Sequence, residues 1–213
     1  PAARVLVTSV EVLDVEQPRL RELGNVRYVG PVAPAVDGAL AAPTASHPLV
    51  LVSFSTTALG QGEPLRAVIV ALAGLPVRAV VTAGPSLDVA SLPTAANVDV
   101  RAWIPHGSVM PLASLVVTHG GLGTVSTALA HGVPLLCMPL GRDQGFVSDR
   151  VAALGAGLKV AADSEPAELR RGIMSVLTDG QFRAAARRVA EVLEEAGDGA
   201  VNVAHELEGL AGR

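Results

Sequence analysis

The sequence predicts an α/β fold, a doubly wound parallel sheet with helices on both faces. Short valine-rich runs alternate with longer stretches whose apolar residues recur every three or four positions. The runs carry little polar alternation, as expected of strands buried on both faces. Short connections between strands and helices complete the pattern of parallel order. Half of the 213 residues are apolar (50%), enough to fill a core of this size.

Two short strands come first, over residues 4–8 and 26–29. Residues 30–48 then carry Pro31, Pro34, Pro43 and Pro48 among alanines, the composition of an extended linker. A domain boundary is expected near His47. Residues 1–47 are read as the remnant of a preceding domain plus linker, and 48–213 as the main domain. Strands are expected over 49–54, 77–82, 98–102, 114–118, 133–138 and 157–160. Helices are expected over 62–73, 108–112, 124–131, 143–154, 165–177, 181–195 and 200–210. Leu169, Ile173, Val176 and Leu177 share one helical face, as do Phe182, Ala186, Val189 and Leu193. Arg183, Arg187, Glu191 and Glu195 point away from the second of these faces.

A formal charge of -4 gives no broad basic field, which argues against nucleic-acid binding. Cys137 is the single cysteine, so no disulfide framework exists and a cytoplasmic, reducing home is expected. Residues 102–141 contain no Asp, Glu, Lys or Arg. They are no membrane span, because Pro105, Pro111, Pro134 and Pro139 interrupt them. The chain opens on Pro1 and is expected to be a fragment or processed form.

At the centre of the uncharged stretch stands Val117-Thr118-His119-Gly120-Gly121-Leu122-Gly123-Thr124. Strand, glycine turn and helix start together offer backbone N–H groups and a helix dipole to an anion. A phosphate here must be held by amides, hydroxyls and histidine. No carboxylate in the stretch is available for a divalent metal, so a metal-independent site without cofactor is expected. Gly120, Gly121 and Gly123 permit turn geometry and close ligand approach. Thr124 is expected to cap the helix and face phosphate. An ordinary tight strand–helix turn would show the same glycines. A nicotinamide-dinucleotide site competes as well: residues 121–126 resemble its fingerprint, with Ser126 in place of the last glycine and Asp143 as ribose acid. Against it, the loop follows the fourth strand of the main domain. The first strand–helix turn, starting at Ser53-Phe54-Ser55-Thr56-Thr57, has no glycine before Gly60.

Taken with its flanks, the stretch shows Trp103-Ile104-Pro105-His106, then residues 118–124, then Gly132-Val133-Pro134, Pro139 and Asp143-Gln144. This set resembles the donor-binding box of GT-B fold nucleotide-sugar glycosyltransferases, the branch with bacterial natural-product, macrolide and plant secondary-metabolite enzymes. Arg150-Val151 and Gly155-Ala156-Gly157 fit the same pattern. The resemblance runs from about residue 49 to the end of the chain, and Tyr28-Val29-Gly30-Pro31 resembles the interdomain linker.

The resemblance implies a Rossmann-like donor domain with assigned roles. Trp103 would stack on the nucleobase, where the plain alternative is a core tryptophan, and Ile104 would meet the base edge with its backbone. His119, Gly121, Gly123 and Thr124 would hold the diphosphate, with Thr56 facing it from the first loop. Asp143 and Gln144 would bind sugar hydroxyls. Thr127 stands where many plant members carry a ribose-clasping glutamate, which suits a TDP- over a UDP-sugar. Val147 stands where asparagine is common. His106 would be a turn residue near the base, His131 a helix-end residue and Cys137 a buried strand residue without chemistry.

The implied reaction is metal-independent, inverting sugar transfer to a small-molecule acceptor. In the family the catalytic histidine and acceptor pocket belong to an N-terminal domain, which residues 1–47 cannot supply. No catalytic residue is therefore expected in this chain, which should bind an NDP-sugar without efficient transfer. Alternatives are a nucleotide-sugar 2-epimerase, which needs carboxylates beyond Asp143, a NAD-binding domain, and a non-catalytic nucleotide-binding or assembly module. In the last case Val203, Leu207 and Leu210 on the C-terminal helix would be exposed and available for a homodimer.

Overall fold

The computed structural model describes residues 4–14, 24–32, 47–54 and 60–211. Most of the expected linker, and Thr56, lie outside the described residues. Two strands open the chain, β1 (Val5–Val7) and β2 (Val26–Tyr28), paired in parallel and separate from the main sheet. The main sheet holds β3 (Leu49–Ser53), β4 (Arg78–Thr82), β5 (Val98–Arg101), β6 (Leu115–Thr118), β7 (Leu135–Cys137) and β8 (Gly157–Lys159). All neighbours are parallel, in the order β5-β4-β3-β6-β7-β8.

Helices α1 (Gly62–Leu72), α3 (Leu122–Ala130), α4 (Gln144–Ala153) and α5 (Pro166–Thr178) follow β3, β6, β7 and β8. The short α2 (His106–Val109) runs into a 3-10 turn at Met110–Leu112 and leads from β5 to β6. Helices α6 (Gly180–Ala196) and α7 (Gly199–Ala211) close the chain.

Strand residues alternate faces, so adjacent valines serve opposite layers. Leu51 and Val116 join Val125, Leu129, Val151, Ala186 and Val189 on one side of the sheet. Val50, Val52 and Val117 join Leu65, Ile69, Leu169 and Ile173 on the other. Truncating one fully buried leucine, such as Leu51 or Leu129, to alanine is expected to cost about 2–5 kcal/mol.

The N-terminal segment is fastened to this domain at two places. A 3-10 turn at Glu11–Leu13 buries Val10 and Leu13 in the layer beneath α4, and Arg150 Nε donates to Val12 O at 2.5 Å. At the other place Asn202 Nδ2, on α7, donates to Val29 O at 2.9 Å and to Ala196 O at 2.8 Å. Gly199 N donates to Pro31 O at 3.1 Å, and Arg4 pairs with Glu206. A Cβ on Gly199 would stand 2.3 Å from Gly30 O, so only glycine admits this approach. Val201, Leu207 and Leu210 are exposed on α7, whereas Val203 is half-buried. Among the described residues no helix is long and apolar enough to cross a membrane.

Candidate functional site

The strand order reverses between β3 and β6: the chain builds outward through β4 and β5 on one side, then through β7 and β8 on the other. A crevice opens outside the carboxyl ends of strands at such a point. Ser53 and Thr118, register partners at the ends of β3 and β6, floor it. The glycine loop His119–Gly121 springs from Thr118.

The three glycines of that loop serve different purposes. Gly120 has φ +83°, and a Cβ there would stand 2.4 Å from Ser148 Oγ, so it lets the loop press against α4. A Cβ on Gly121 would stand 2.6 Å from His119 Nε2, so Gly121 makes room for the histidine ring. Around Gly123 nothing lies within 4 Å, leaving that side open for a ligand.

Helix α3 starts at Leu122, two residues before the expected position, with Gly121 as its N-cap. Thr124 therefore sits inside the first turn and is not the cap. Glycine is an acceptable N-cap residue, and Leu122-Gly123 adopts helical geometry despite the low propensity of glycine. No side chain caps this end. The amides of the first turn consequently point to the crevice without a side-chain partner, where the helix dipole favours an anion.

His119 lies just under the loop, 9% exposed, with Nδ1 3.3 Å from Thr118 Oγ1. Burial lowers its pKa below the usual 6.5, opposed by a hydrogen bond to the Ser53 backbone and by the charge of Asp143. It is accordingly neutral at pH 7 and has one ring proton to donate.

Trp103 is 68% exposed and so is not a core residue, while Ile104 beside it is buried. Ile104 anchors the turn and leaves the indole standing clear. Pro105 then caps α2, where Ser108 Oγ donates to Pro105 O at 2.7 Å. His106 does more than occupy a turn: its Nε2 lies 2.9 Å from Ser53 Oγ, and burial lowers its pKa.

Across the crevice, the loop after β7 is tied to the end of β6 by Met138 N donating to Thr118 O at 2.7 Å. Gln144 is buried at the start of α4, and its Oε1 accepts from Leu140 N at 2.8 Å and Gly141 N at 3.1 Å. That oxygen is a loop fastener, and the Nε2 group is not used in either bond. Arg142 has φ 56°, the one non-glycine residue with positive φ among the described residues. Such strain gathers at binding sites when the surroundings enforce it. Asp143 is the exposed N-cap of α4.

The hydroxyl of Thr127 donates to Gly123 O at 2.8 Å, so its oxygen can still accept but its proton is engaged. Val147 packs against the core beneath α4. His131 is an exposed residue at the end of α3. Cys137 is sealed in β7, where burial pushes its thiol up to about 12. Phe146, 63% exposed, is one helical turn past Asp143 and was not singled out from the sequence. A large apolar residue beside an acid and a glycine at a helix start was the available signal.

A doubly wound parallel sheet with an uncapped helix start at its switch point, flanked by an exposed indole, defines a Rossmann-like α/β domain. The chain belongs to the family described as Erythromycin biosynthesis protein CIII-like, C-terminal domain, whose model matches residues 66–210. It is 36% identical over 203 residues to the 4'-demethylrebeccamycin synthase of Lentzea aerocolonigenes, across 92% of this chain and 47% of that protein. Its fold is similar to that of CalG4, the calicheamicin glycosyltransferase, with a TM-score of 0.78, 32% identity, and coverage of 89% of this chain and 48% of that one. It is also similar to the spinosyn rhamnosyltransferase SpnG complexed with thymidine diphosphate, with a TM-score of 0.68, 26% identity and coverage of 83% and 51%. The chain spans about half the length of the curated relatives it matches.

Proposed function

We propose that this chain is the donor-binding half of a cytoplasmic, inverting glycosyltransferase that passes a sugar from a TDP- or UDP-sugar to a small-molecule acceptor. One observation carries the proposal: the uncapped first turn of α3 opens at the switch point of a sheet whose rim also bears an exposed Trp103. The likeness to SpnG, which is complexed with thymidine diphosphate, supports the same assignment.

In this proposal Trp103 stacks on the base and the Ile104 backbone meets its edge. The amides of Leu122, Gly123 and Thr124, the Thr124 hydroxyl and His119 hold the diphosphate, with Thr56 facing it. Gly121 keeps His119 in place, and Thr127 accepts from the sugar ring of the nucleoside. Asp143 and the Gln144 Nε2 group bind the transferred sugar.

Transfer forms a bond from an acceptor oxygen to the anomeric carbon as the bond to the diphosphate oxygen breaks. The leaving diphosphate gains negative charge, and amides fixed in advance at a helix N-terminus stabilise that charge without reorganising. The acceptor hydroxyl gives its proton to a base, which belongs with the acceptor pocket in a preceding domain. The chain alone then binds donor and transfers poorly. The exposed Leu207 and Leu210 offer a surface through which free chains would pair, and light scattering against concentration tests that.

The function is tested by titrating the chain with TDP-glucose, UDP-glucose and NAD while following calorimetry and the fluorescence of its single tryptophan. Binding of a sugar nucleotide with a change in Trp103 emission is expected. Binding of NAD alone, or no binding by either sugar nucleotide, overturns the proposal.

A further inference from the structure

Ser53, at the floor of the crevice, is the meeting point of two segments that are far apart in sequence. Its hydroxyl lies 2.9 Å from His106 Nε2, in the turn that carries Trp103 and Ile104. Its register partner in the sheet is Thr118, whose Oγ1 lies 3.3 Å from Nδ1 of His119, in the loop that leads to the first turn of α3. Ser53 is 1% exposed and His119 9%, so neither contact is exchanged for water at little cost. The surroundings leave little slack. Ser53 is clamped in β3 between Thr82 and Thr118, and Ile104 is buried beside the indole. Gly121 presses on His119 so closely that a Cβ there would stand 2.6 Å from Nε2. A displacement of the 103–106 turn is therefore felt at Ser53 and at the histidine beneath the phosphate loop.

We propose that His106 is a positioning residue which, through Ser53, joins the nucleobase platform to the diphosphate cradle, so that occupation of one subsite prepares the other. The inference rests on the donor-binding proposal above. A linked pair of subsites binds the two halves of a ligand better together than separately, and the link has a measurable coupling. Neither side chain need touch the nucleotide.

The test measures binding of TDP and of inorganic pyrophosphate by calorimetry for the unaltered chain, His106→Leu, His106→Gln, Ser53→Ala and the double variant His106→Leu/Ser53→Ala. His106→Leu and Ser53→Ala are each expected to weaken TDP by about three- to tenfold, the equivalent of one net hydrogen bond, with pyrophosphate affinity unchanged. The double variant should be no weaker than either single one, and His106→Gln, which keeps a nitrogen for Ser53 Oγ, should restore affinity. Should His106→Leu not fold, Ser53→Ala against His106→Gln makes the same comparison. Additive losses, equal losses for TDP and pyrophosphate, or unchanged TDP affinity in the variants overturn the inference while leaving donor binding intact. Failure of the unaltered chain to bind TDP overturns donor binding and this inference with it.

Discussion

A Cβ placed on Gly120 would stand 2.4 Å from Ser148 Oγ and 3.1 Å from Gln144 O. Gly120 also has φ +83°, a conformation that costs an L-residue about 1–2 kcal/mol. Gly120→Ala is therefore expected to lose at least about 2 kcal/mol of stability, strain and collision together. Adding Ser148→Ala removes the nearest colliding atom and should restore part of it. Chemical denaturation of the three variants checks this, and a Gly120→Ala chain as stable as the original would contradict it.

Gly123 gives the opposite expectation, because no atom lies within 4 Å of its Cβ position and its backbone is helical. Gly123→Ala should raise stability by up to about 1 kcal/mol through helix propensity. The same methyl would project into the open side of the loop and should weaken TDP binding. A more stable chain with unchanged TDP affinity would show that the diphosphate lies elsewhere.

Gln144 has two separable duties. Gln144→Leu leaves the amides of Leu140 and Gly141 without their acceptor and is expected to cost about 1–3 kcal/mol. Gln144→Glu keeps an acceptor for both amides but removes the Nε2 donor. It should hold the melting temperature near the original while sugar-nucleotide affinity falls relative to TDP affinity. Thermal melting and calorimetry together separate the two effects.

Trp103→Ala should leave stability nearly untouched, because the indole is 68% exposed. It should weaken TDP binding by about 1–3 kcal/mol, the usual worth of a base stacked on an aromatic ring. Trp103→Phe should recover part of the loss. Equal affinity for all three would leave the indole without a role in base binding.

Burial lowers the pKa values of His106 and His119, whereas the unfolded chain carries imidazoles that titrate near 6.5. Between 6.5 and the lower folded values the unfolded state binds more protons, so stability rises with pH there. It is lost as pH falls from 6.5 through the folded values, and these two groups add no slope above that window. The melting temperature should drop on acidification from pH 7 to 5, less steeply in His119→Gln. A rise on acidification would contradict the assignment.

The strands of the main sheet were legible because their valines serve two buried layers, a pattern that needs no long-range information. Helices α5 and α6 were legible from amphipathic spacing. The start of α3 was misplaced by two residues because Gly123 reads as loop in isolation, and only the docked helix overrides its propensity. The roles of Gly120 and His106 were not legible. Each depends on an atom from a distant segment, Ser148 for one and Ser53 for the other. Exposure of Trp103 was undecidable for a similar reason, since the burial of Ile104 beside it sets which way the turn faces. Val10 and Leu13 gave no local sign of burial, which depends on α4 lying over them.

The burial of Cys137 has a practical consequence. With its thiol sealed in a central strand and pushed up to about 12, this sole native cysteine presents almost no thiolate to maleimide reagents at neutral pH. A cysteine introduced at an exposed position such as Thr178 would take a fluorophore or spin label selectively, with no background residue to remove first.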